Sequence, residues 1–394
     1  MGRYNFDQIL DRTHTKSLKY DFAVQRGKPA DILPFWVADM DFEIPSELKQ
    51  ILLDRVNHGV FGYTDTDDSY WNVLEHWFTS RFNWTPQAKW LVKTPGIVFA
   101  LAMAVRAFTK EGDGVLINQP VYYPFSMVID DNNRRLINVP LIKGDEKYTI
   151  DFEGIERAIV EEHVTLFLLC NPHNPVGRVW TEEELRRLGD ICIRYNVIIV
   201  SDEIHADFVW DGHTHRVFAG LGEAYAEHCI VCTAPSKTFN IAGLQVSNIF
   251  IPNDSLRRRF IKEIDRAGYS QLNTMGIVAC EGAYKVGASW LDELKEYIQG
   301  NIQFTIDYFE SYMPKIHMYR PEGTYLMWFD CSQLSLSPAE RDEWIVNDAK
   351  LWFDTGSMFG VDGENFERIN VACPRKTLEQ GLDALRRAYE KKGF

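Results

Sequence analysis

The sequence predicts an α/β fold in which a large domain contains a mostly parallel sheet flanked by helices, and a smaller α/β domain follows towards the C-terminus. Two observations predict the large domain: short runs of apolar β-forming residues alternate with helix-like segments, and these runs are almost continuously apolar. Such runs are typical of strands that helices cover on both faces. A change of pattern after about residue 287 predicts the second domain.

Each predicted strand of the large domain contains several consecutive apolar residues. These strands are residues 114–118, 135–141, 164–170, 197–203, 229–233 and 246–251. The segment TEEELRRLGDICIRYN, residues 181–196, is amphipathic at helical spacing and predicts one of the intervening helices. Open α/β sheets bind ligands at the carboxyl ends of their strands. The polar residues that follow these runs are therefore the candidates for a functional site.

The second domain begins with a long helical stretch at residues 290–313. Two strand-like segments, residues 323–330 and 367–373, come after it. We expect the N-terminal segment to join this smaller domain. The predicted division is residues 49–287 for the large domain, and residues 1–48 together with 288–394 for the small domain.

Composition excludes several classes of function. The chain of 394 residues carries a formal net charge of −14, which would repel a nucleic-acid backbone. No apolar run approaches the ~20 residues that a membrane helix needs, and the N-terminus lacks the apolar core of a signal peptide. The seven cysteines are scattered, without the short spacings of a disulfide framework. We expect a cytoplasmic globular protein that binds neither nucleic acid nor membranes.

Two polar segments directly follow predicted strands. The segment CNPHNPVG, residues 170–177, contains two Asn-Pro pairs and a glycine, which predict a tight bend; alone, this bend is also compatible with an ordinary turn. Asp202 and Glu203 follow four apolar residues. A carboxylate there can cap a helix or meet solvent, whereas a buried one can stabilise a positively charged ring nitrogen.

A lysine follows the strand at residues 229–233. In the stretch VCTAPSKTFNIAG, Lys237 lies between an apolar run and a loop of small and polar residues. Considered alone, it is most simply a solvated loop charge. It can act as a nucleophile only where its surroundings lower the pKa of its amine, and it would then form a Schiff base with an aldehyde such as pyridoxal phosphate.

A pyridoxal-phosphate site also needs a phosphate cradle and a ring that stacks on the cofactor. Pro95 and Gly96 open a strongly helical run, and backbone N–H groups at the start of a helix bind anions. Tyr122 or Tyr123 could supply the stacked ring, although either could be a core residue.

The order of these motifs is more specific than any one of them. An aromatic PVYYPF, then NPHNPVG, SDE, SK and a late arginine in RINVACPR extend through nearly the whole chain. In this order the chain resembles the fold-type I pyridoxal-phosphate enzymes of the aspartate aminotransferase superfamily. The segments FWVADMDFEIP, SDEIH, APSKTFNIAGLQ and NVACPR resemble the MalY/PatB group of carbon–sulfur β-lyases, which includes the cystathionine β-lyases. The resemblance implies the fold of the type I pyridoxal-phosphate transferases.

The resemblance also implies roles for individual residues. Lys237 would form the Schiff base and move the substrate α-proton, Asp202 would keep the pyridine nitrogen protonated, and Tyr122 would stack on the ring as a third catalytic group. The cofactor's 3'-hydroxyl and phosphate would be bound by Asn174, by the backbone N–H groups of Gly96, Ile97 and Val98, and by the hydroxyl of Ser236. The substrate would contact Arg368, which would hold its α-carboxylate, together with Asn174, Ala38 and Tyr123.

Tyr63 in FGYTDTDD resembles the tyrosine that reaches the cofactor phosphate of the neighbouring subunit, which implies a homodimer with shared active sites. Two positions depart from the pattern of many aminotransferases. His205 stands where they have a tyrosine, which leaves open what assists Asn174 at the 3'-hydroxyl, although we expect His205 to contact the cofactor. Gln245 stands where they commonly have a phosphate-binding arginine, which argues against a typical aminotransferase.

The implied function is α,β-elimination from L-cystathionine or related cysteine S-conjugates, which yields a thiol such as homocysteine, pyruvate and ammonia, as in methionine biosynthesis and sulfur amino acid metabolism. Two alternatives remain open: an aminotransferase, and a MalY-like regulatory protein that acts by binding a partner. We expect no metal site. The pair Cys229 and Cys232 lies within a predicted core strand, and His213 and His215 are most simply part of a polar loop.

Overall fold

The computed structural model describes residues 2–394. The strands are β1 (Leu33–Pro34), β2 (Leu91–Thr94), β3 (Gly114–Ile117), β4 (Arg135–Asn138), β5 (Ile142–Lys143), β6 (Tyr148–Thr149), β7 (Leu166–Cys170), β8 (Ile198–Asp202), β9 (Cys229–Thr233), β10 (Ser247–Phe250), β11 (His317–Met318), β12 (Leu326–Asp330), β13 (Leu351–Trp352), β14 (Asp354–Thr355) and β15 (Phe366–Asn370). The helices are α1 (Ser46–His58), α2 (Asp68–Phe82), α3 (Ile97–Phe108), α4 (Pro124–Asp130), α5 (Phe152–Glu161), α6 (Glu182–Arg194), α7 (Glu223–Ala226), α8 (Pro235–Thr238), α9 (Asp254–Arg266), α10 (Thr274–Val286), α11 (Ala288–Tyr312), α12 (Pro338–Glu343) and α13 (Arg375–Lys392).

A seven-stranded sheet forms the centre of the large part of the chain. Its strand order is β2-β10-β9-β8-β7-β3-β4. The five strands from β9 to β4 are parallel, whereas β10 runs antiparallel to both β9 and β2. The mostly parallel sheet predicted from the sequence is therefore confirmed, and each of the six predicted runs contains a strand. The strand β2 was not predicted.

Helices cover both faces of this sheet. Successive residues of a strand point to opposite faces, so each strand packs against both helical layers. In β7, Leu166 and Leu168 join one core with residues of α3. Phe167 and Leu169 join the other core with Leu185 of α6. This alternation explains why the runs are continuously apolar: each residue is buried, but against a different layer.

The C-terminal part contains a four-stranded antiparallel sheet in the order β11-β12-β15-β14. The N-terminal segment joins this part, since β1 pairs in parallel with β13, and the backbone N–H of Asp41 donates to the carbonyl of Ala372. The pairing agrees with a small domain built from both ends of the chain. The boundaries at residues 48/49 and 287/288 stay a prediction.

The register of the central sheet brings three strand ends to one place. Cys170, the last residue of β7, pairs with Asp202, the last residue of β8. Asp202 pairs in turn with Cys232 of β9. The loops that follow these strands therefore begin side by side at the carboxyl edge. Among residues 2–394, no helix combines the length and apolar character needed to span a bilayer.

Candidate active site

A cavity lies at the carboxyl ends of β7, β8 and β9. Its walls come from the strap, the irregular segment of residues 36–42 before α1, and from the start of α3 and the loops after these strands. The lining residues are Ala38, Pro95, Gly96, Ile97, Val98, Tyr122, Cys170, Asn174, Asp202, Ile204, His205, Ser236, Lys237, Ala242, Gln245, Val246 and Ser247. Ten of the thirteen residues that we predicted for the site are in this set.

Asp202 is the buried acid of the cavity. It ends β8, and its Oδ1 atom accepts a hydrogen bond of 3.2 Å from the backbone N–H of Ile204. Burial raises the pKa of its carboxyl to about 7, because a charged group loses its hydration there; the nearby Lys237 opposes this shift. A positively charged group bound in the cavity would stabilise the ionised form of this carboxyl and so lower its pKa.

Lys237 lies in α8, the short helix that follows β9, and its Nζ atom donates a hydrogen bond of 2.8 Å to the carbonyl oxygen of Ala38. Burial, with the positive charge of Arg368, lowers the pKa of its amine to about 8. The carboxylates of Asp39 and Asp202 oppose this shift. Near neutral pH a useful fraction of the amine is therefore unprotonated and able to act as a nucleophile or a base.

The start of α3 lies at one end of the cavity. Gly96 is the N-cap of the helix, and the first N–H groups of a helix have no partner within it. No atom lies within 4 Å of the place where a Cβ would stand at Gly96, so the space before the helix is open. Ser236 and Gln245 complete this end. Lys237 is the one lysine or arginine among the residues that line the cavity.

Asn174 connects the cavity to a buried arginine behind it. Its side-chain Oδ1 atom accepts a hydrogen bond of 2.8 Å from Nη1 of Arg368. The guanidinium also donates to the carbonyl of Trp36 at 2.9 Å and forms a buried ion pair with Asp354. Because Oδ1 is engaged, the amide nitrogen of Asn174 is the group available to donate into the cavity.

The two tyrosines of PVYYPF have different positions. Tyr122 lines the cavity, and its backbone N–H donates to the carbonyl of Asn174 at 3.0 Å. Burial raises the pKa of its phenol, so the group is protonated at neutral pH. Tyr123 lies outside the lining, with its ring centroid 5.1 Å from that of Tyr122 and 6.4 Å from that of Phe359.

His205 faces the cavity from the wall that also carries Asp202. Burial, with the positive charges of Lys237 and Arg368, lowers the pKa of its imidazole to about 3, so the ring is neutral. Its buried Nδ1 atom has no hydrogen-bond partner among the described residues. The ring packs edge-on against that of Tyr325, at a centroid distance of 5.9 Å. A neutral ring with an unsatisfied nitrogen can form a hydrogen bond with a ligand in the cavity.

Three predicted residues lie outside the cavity lining: Arg368, Tyr123 and Tyr63. Arg368 is buried and reaches the cavity through Asn174. Tyr63 is 98% exposed on the loop before α2, in a shallow surface depression that also contains Pro95 and Gln245. Its own chain therefore does not bring its side chain into the cavity.

The sequence did not identify Asp354 and Tyr325 as part of the site. Asp354 is the register partner of Arg368 across β14 and β15, so the sheet places the two side chains on the same face. Tyr325 donates a hydrogen bond of 2.9 Å to the carbonyl of Ala38. Neither residue follows a strand of the central sheet, and their sequence context gave no signal.

The two other candidate sites have structural explanations. Cys229 and Cys232 belong to the cores on opposite faces of the sheet, and their side chains therefore cannot share a metal ion. The Nε2 atom of His215 lies 2.8 Å from Oε2 of the buried Glu203. His213 is an exposed residue of the adjoining turn.

The cavity fits pyridoxal phosphate. It contains one amine with a lowered pKa, a buried carboxyl, an open helix start for an anion, and the unsatisfied Nδ1 atom of His205. Lys237 would bind the aldehyde carbon, Asp202 would face the ring nitrogen, Asn174 would donate to the 3'-oxygen, and the N–H groups that follow Gly96 would hold the phosphate.

Comparisons with known proteins agree with this chemistry. The family described as aminotransferase class I and II matches residues 30–385. Cystathionine β-lyase PatB of Bacillus subtilis is 41% identical over 384 residues, which cover 98% of this chain and 99% of PatB.

Two solved structures are similar over almost their full length. The pyridoxal-phosphate-bound putative aminotransferase of Clostridium difficile 630 has a TM-score of 0.96 at 41% identity, over 98% of this chain and 100% of that one. Cystalysin of Treponema denticola, whose structure contains a pyridoxal 5'-phosphate cofactor, has a TM-score of 0.95 at 39% identity, over 98% and 99%. The predicted fold, cofactor and family resemblance are confirmed. The chain thus belongs to the aminotransferase class I and II family and, within it, to the group that contains PatB.

Proposed function

We propose that this protein is a pyridoxal-phosphate-dependent carbon–sulfur β-lyase that cleaves L-cystathionine or related cysteine S-conjugates. The observation that carries the proposal is the pairing, in one cavity, of an amine with a lowered pKa at Lys237 and a buried carboxyl at Asp202. Relatives of this chain carry the same activity in their names, as cystathionine β-lyase PatB does.

When bound, pyridoxal phosphate supplies an aldehyde that bonds amino groups and a ring that withdraws electrons from the substrate α-carbon. Lys237 would hold the aldehyde carbon and, as a free amine, would accept the substrate α-proton. Asp202 would keep a proton on the ring nitrogen by providing a carboxylate beside it. Tyr122 would lie against the ring, and Asn174 would donate its amide N–H to the 3'-oxygen.

Elimination breaks the bond between the β-carbon and sulfur, and its electron pair leaves with the thiol. The remaining three-carbon fragment takes up one water, and pyruvate and ammonia result. With L-cystathionine, the products are homocysteine, pyruvate and ammonia. This reaction places the enzyme in sulfur amino acid metabolism, in methionine biosynthesis.

Arg368 is suited to bind the substrate α-carboxylate, a planar anion that a guanidinium fork can hold through two parallel hydrogen bonds. Its present acceptors are Asn174, the Trp36 carbonyl and Asp354. A substrate carboxylate would replace some of these acceptors of the guanidinium. Ala38 and Tyr123 would then border the substrate's side chain.

Gln245 favours elimination over transamination as the main activity. It lies at the phosphate end of the cavity, where aminotransferases commonly have an arginine. A transaminase must keep its cofactor through a half-reaction in which the cofactor has no covalent bond to the protein. A neutral amide holds a phosphate less strongly than a guanidinium does.

The exposure of Tyr63 supports a homodimer with shared active sites. An aromatic side chain that is 98% exposed has no packing role in its own chain, and Phe61 beside it is 56% exposed. Both would be covered if the loop reached the phosphate end of a second copy's cavity. We also propose that the enzyme acts in the cytoplasm, because its seven free cysteines suit a reducing compartment.

A substrate panel tests the proposal. The purified enzyme with its cofactor is incubated with L-cystathionine, L-cystine and cysteine S-conjugates, with and without a 2-oxo acid, and pyruvate and free thiol are measured. Release that does not depend on the 2-oxo acid is expected. Turnover only in its presence would identify an aminotransferase. Loss of turnover in a Lys237→Ala variant that still binds a protein partner would separate catalysis from a regulatory role.

A further inference from the structure

The strap, residues 36–42, contacts both the strand β15, which carries Arg368, and the segment that carries Lys237. It contains neither helix nor strand. The carbonyl oxygen of Ala38 in its middle accepts hydrogen bonds from Nζ of Lys237 at 2.8 Å and from the hydroxyl of Tyr325 at 2.9 Å. When the amine of Lys237 has no covalent bond, this carbonyl therefore determines where the amine rests.

Side chains from β15 hold the first half of the strap. Nη2 of Arg368 donates to the Trp36 carbonyl at 2.9 Å. Two residues along, Nδ2 of Asn370 donates to the carbonyls of Val37 and Asp39, each at 2.6 Å. The substrate-binding strand thus fixes the backbone on both sides of Ala38.

The loop of the catalytic lysine holds the second half. Oδ1 of Asn240 accepts the backbone N–H of Met40 at 2.9 Å. Its Nδ2 atom donates to the carbonyls of Met40 and Phe42, both at 2.9 Å. Asn240 is three residues after Lys237. The lysine and the strap are therefore joined at two places.

Arg12 also binds the strap. Its Nη1 and Nη2 atoms donate to the two carboxylate oxygens of Asp39 at 3.1 and 2.7 Å. Nη1 also donates to the carbonyl of Met40 at 3.1 Å and to Oδ1 of Asp41 at 2.7 Å. One guanidinium therefore fixes three consecutive residues directly after Ala38.

We propose that Arg12 is a positioning residue: by binding Asp39, Met40 and Asp41, it holds the strap so that the Ala38 carbonyl aligns the Lys237 amine for transfer of the substrate α-proton. Arg12 contacts neither the cavity nor the lysine, so it acts only through the strap. The inference rests on the proposed function, since it concerns the step that Lys237 performs there.

Arg12 also sets the charge near the lysine. The charged groups that act on Lys237 are Asp39, Asp202 and Arg368, and the Asp39 carboxylate raises the pKa of its amine. Arg12 neutralises that carboxylate, while Lys19 is farther from it, at 3.8 Å. Without Arg12, Asp39 would keep only the more distant Lys19 as a cationic partner, and its less neutralised carboxylate would keep the Lys237 amine protonated to a higher pH.

Two variants separate the effects of charge and geometry. Arg12→Gln removes both the charge and the fork, whereas Arg12→Lys keeps the charge and loses the fork. Arg81→Gln is the matched control, because Arg81 also forms a bidentate pair with an aspartate, Asp292, and is neither a lining residue of the cavity nor bonded to the strap. The readouts are the pH dependence of kcat for pyruvate release and, independently of turnover, the pH titration of the absorbance of the cofactor bonded to Lys237.

We expect Arg12→Gln to lower kcat by about 10- to 100-fold, as loss of alignment does. The acid limb of its pH–kcat profile and the midpoint of its absorbance titration should both move by about 0.5–1 unit to higher pH, because a less neutralised Asp39 carboxylate favours the protonated nitrogen. Arg12→Lys should have a lower kcat with little shift in its pH profile or absorbance titration. Arg81→Gln should change neither kcat nor the pH dependence.

The proposal is overturned if Arg12→Gln is folded and keeps both the wild-type kcat and the wild-type titration, or if it loses only thermal stability to the same extent as Arg81→Gln. If the wild-type enzyme releases no pyruvate from any cysteine S-conjugate, the proposed function fails. The absorbance titration would then still decide the role of Arg12.

Discussion

Nη1 of Arg368 donates a hydrogen bond of 2.8 Å to the side-chain oxygen of Asn174. This bond connects the strand proposed to bind the substrate carboxylate with the residue proposed to bind the cofactor's 3'-oxygen. It also fixes the Asn174 amide, whose nitrogen then faces the cavity. A change at the arginine should therefore affect both substrate and cofactor.

Arg368→Lys keeps the positive charge but loses the planar fork. We expect KM for the amino-acid substrate to rise about 10- to 100-fold, since a hydrogen bond to a charged group contributes about 1.5–3 kcal/mol. Arg341→Lys is the control: Arg341 is also fully buried, and its partner Glu367 points to the opposite face of β15. That variant should lose thermal stability without a rise in KM. An unchanged KM in Arg368→Lys would contradict the assignment.

Lys237→Ala removes the amine that binds the cofactor. We expect the absorbance of the lysine-bonded cofactor to disappear and turnover to fall by about 10³-fold or more, since both nucleophile and base are lost. Lys295→Ala is a suitable control, because burial also lowers the pKa of the Lys295 amine, which lies outside the cavity. Retention of turnover in Lys237→Ala would show that the assigned lysine is wrong.

Asp202 gives the cofactor-free protein a specific pH dependence. Burial raises the pKa of its carboxyl from the ordinary aspartate value of 3.8 to about 7 in the folded state, so folding favours the protonated form. The stability that this group contributes is fully present below pH 3.8 and is lost as the pH rises through about 7. The Asp202→Asn variant lacks this titration.

The measurement is Tm against pH for both cofactor-free proteins. Relative to Asp202→Asn, the wild type should lose Tm as the pH rises from about 4 to about 7, and parallel curves would refute the buried-acid assignment. In the presence of cofactor, Asp202→Asn should reduce kcat by about 10²-fold or more, since an amide cannot stabilise a protonated ring nitrogen.

Gln245→Arg places a positive charge at the phosphate end of the cavity. We expect the Kd for pyridoxal phosphate to fall by about 3- to 10-fold, because charge-assisted hydrogen bonds are the stronger ones. Gln87→Arg adds the same charge at the amino end of β2, on the opposite edge of the sheet, and should leave the Kd unchanged. Equilibrium dialysis measures both. Weaker binding in Gln245→Arg would mean that the phosphate lies elsewhere.

Tyr63 should act on the second subunit's cofactor. Tyr63→Ala and Lys237→Ala are each expected to be strongly impaired as homodimers. When the two are unfolded, mixed and refolded together, hybrid dimers should regain turnover, since one of their two sites contains both wild-type residues. The absence of any recovery, with hybrids shown by native mass spectrometry, would exclude shared active sites.

Most of the strands and of the residues that line the cavity could be predicted, because both leave a signal in the local sequence. Continuous apolar runs predict buried strands; Asp202 ends one of them, and Asn174 and Lys237 lie in the segments that follow two others. The short β2 was missed because Lys93 interrupts it and only alternate residues are buried. The antiparallel direction of β10 could not be predicted, since an apolar run has the same composition in either direction.

Long-range pairings could not be predicted. Asp354 meets Arg368 only through the register of β14 and β15, and a one-residue slip would turn it to the other face. The role of the Ala38 carbonyl depends on backbone atoms, which every residue possesses. Such contacts leave no residue-type signal in the sequence.

The central claim is that the enzyme eliminates a thiol catalytically and does not need an amino-group acceptor. The direct measurement is the number of pyruvate molecules released per active site from L-cystathionine with no 2-oxo acid present, with homocysteine counted in parallel. We predict many turnovers per site, with equal amounts of pyruvate and homocysteine. A reaction that stops after at most one event per site, and resumes only when a 2-oxo acid is added, would contradict the claim.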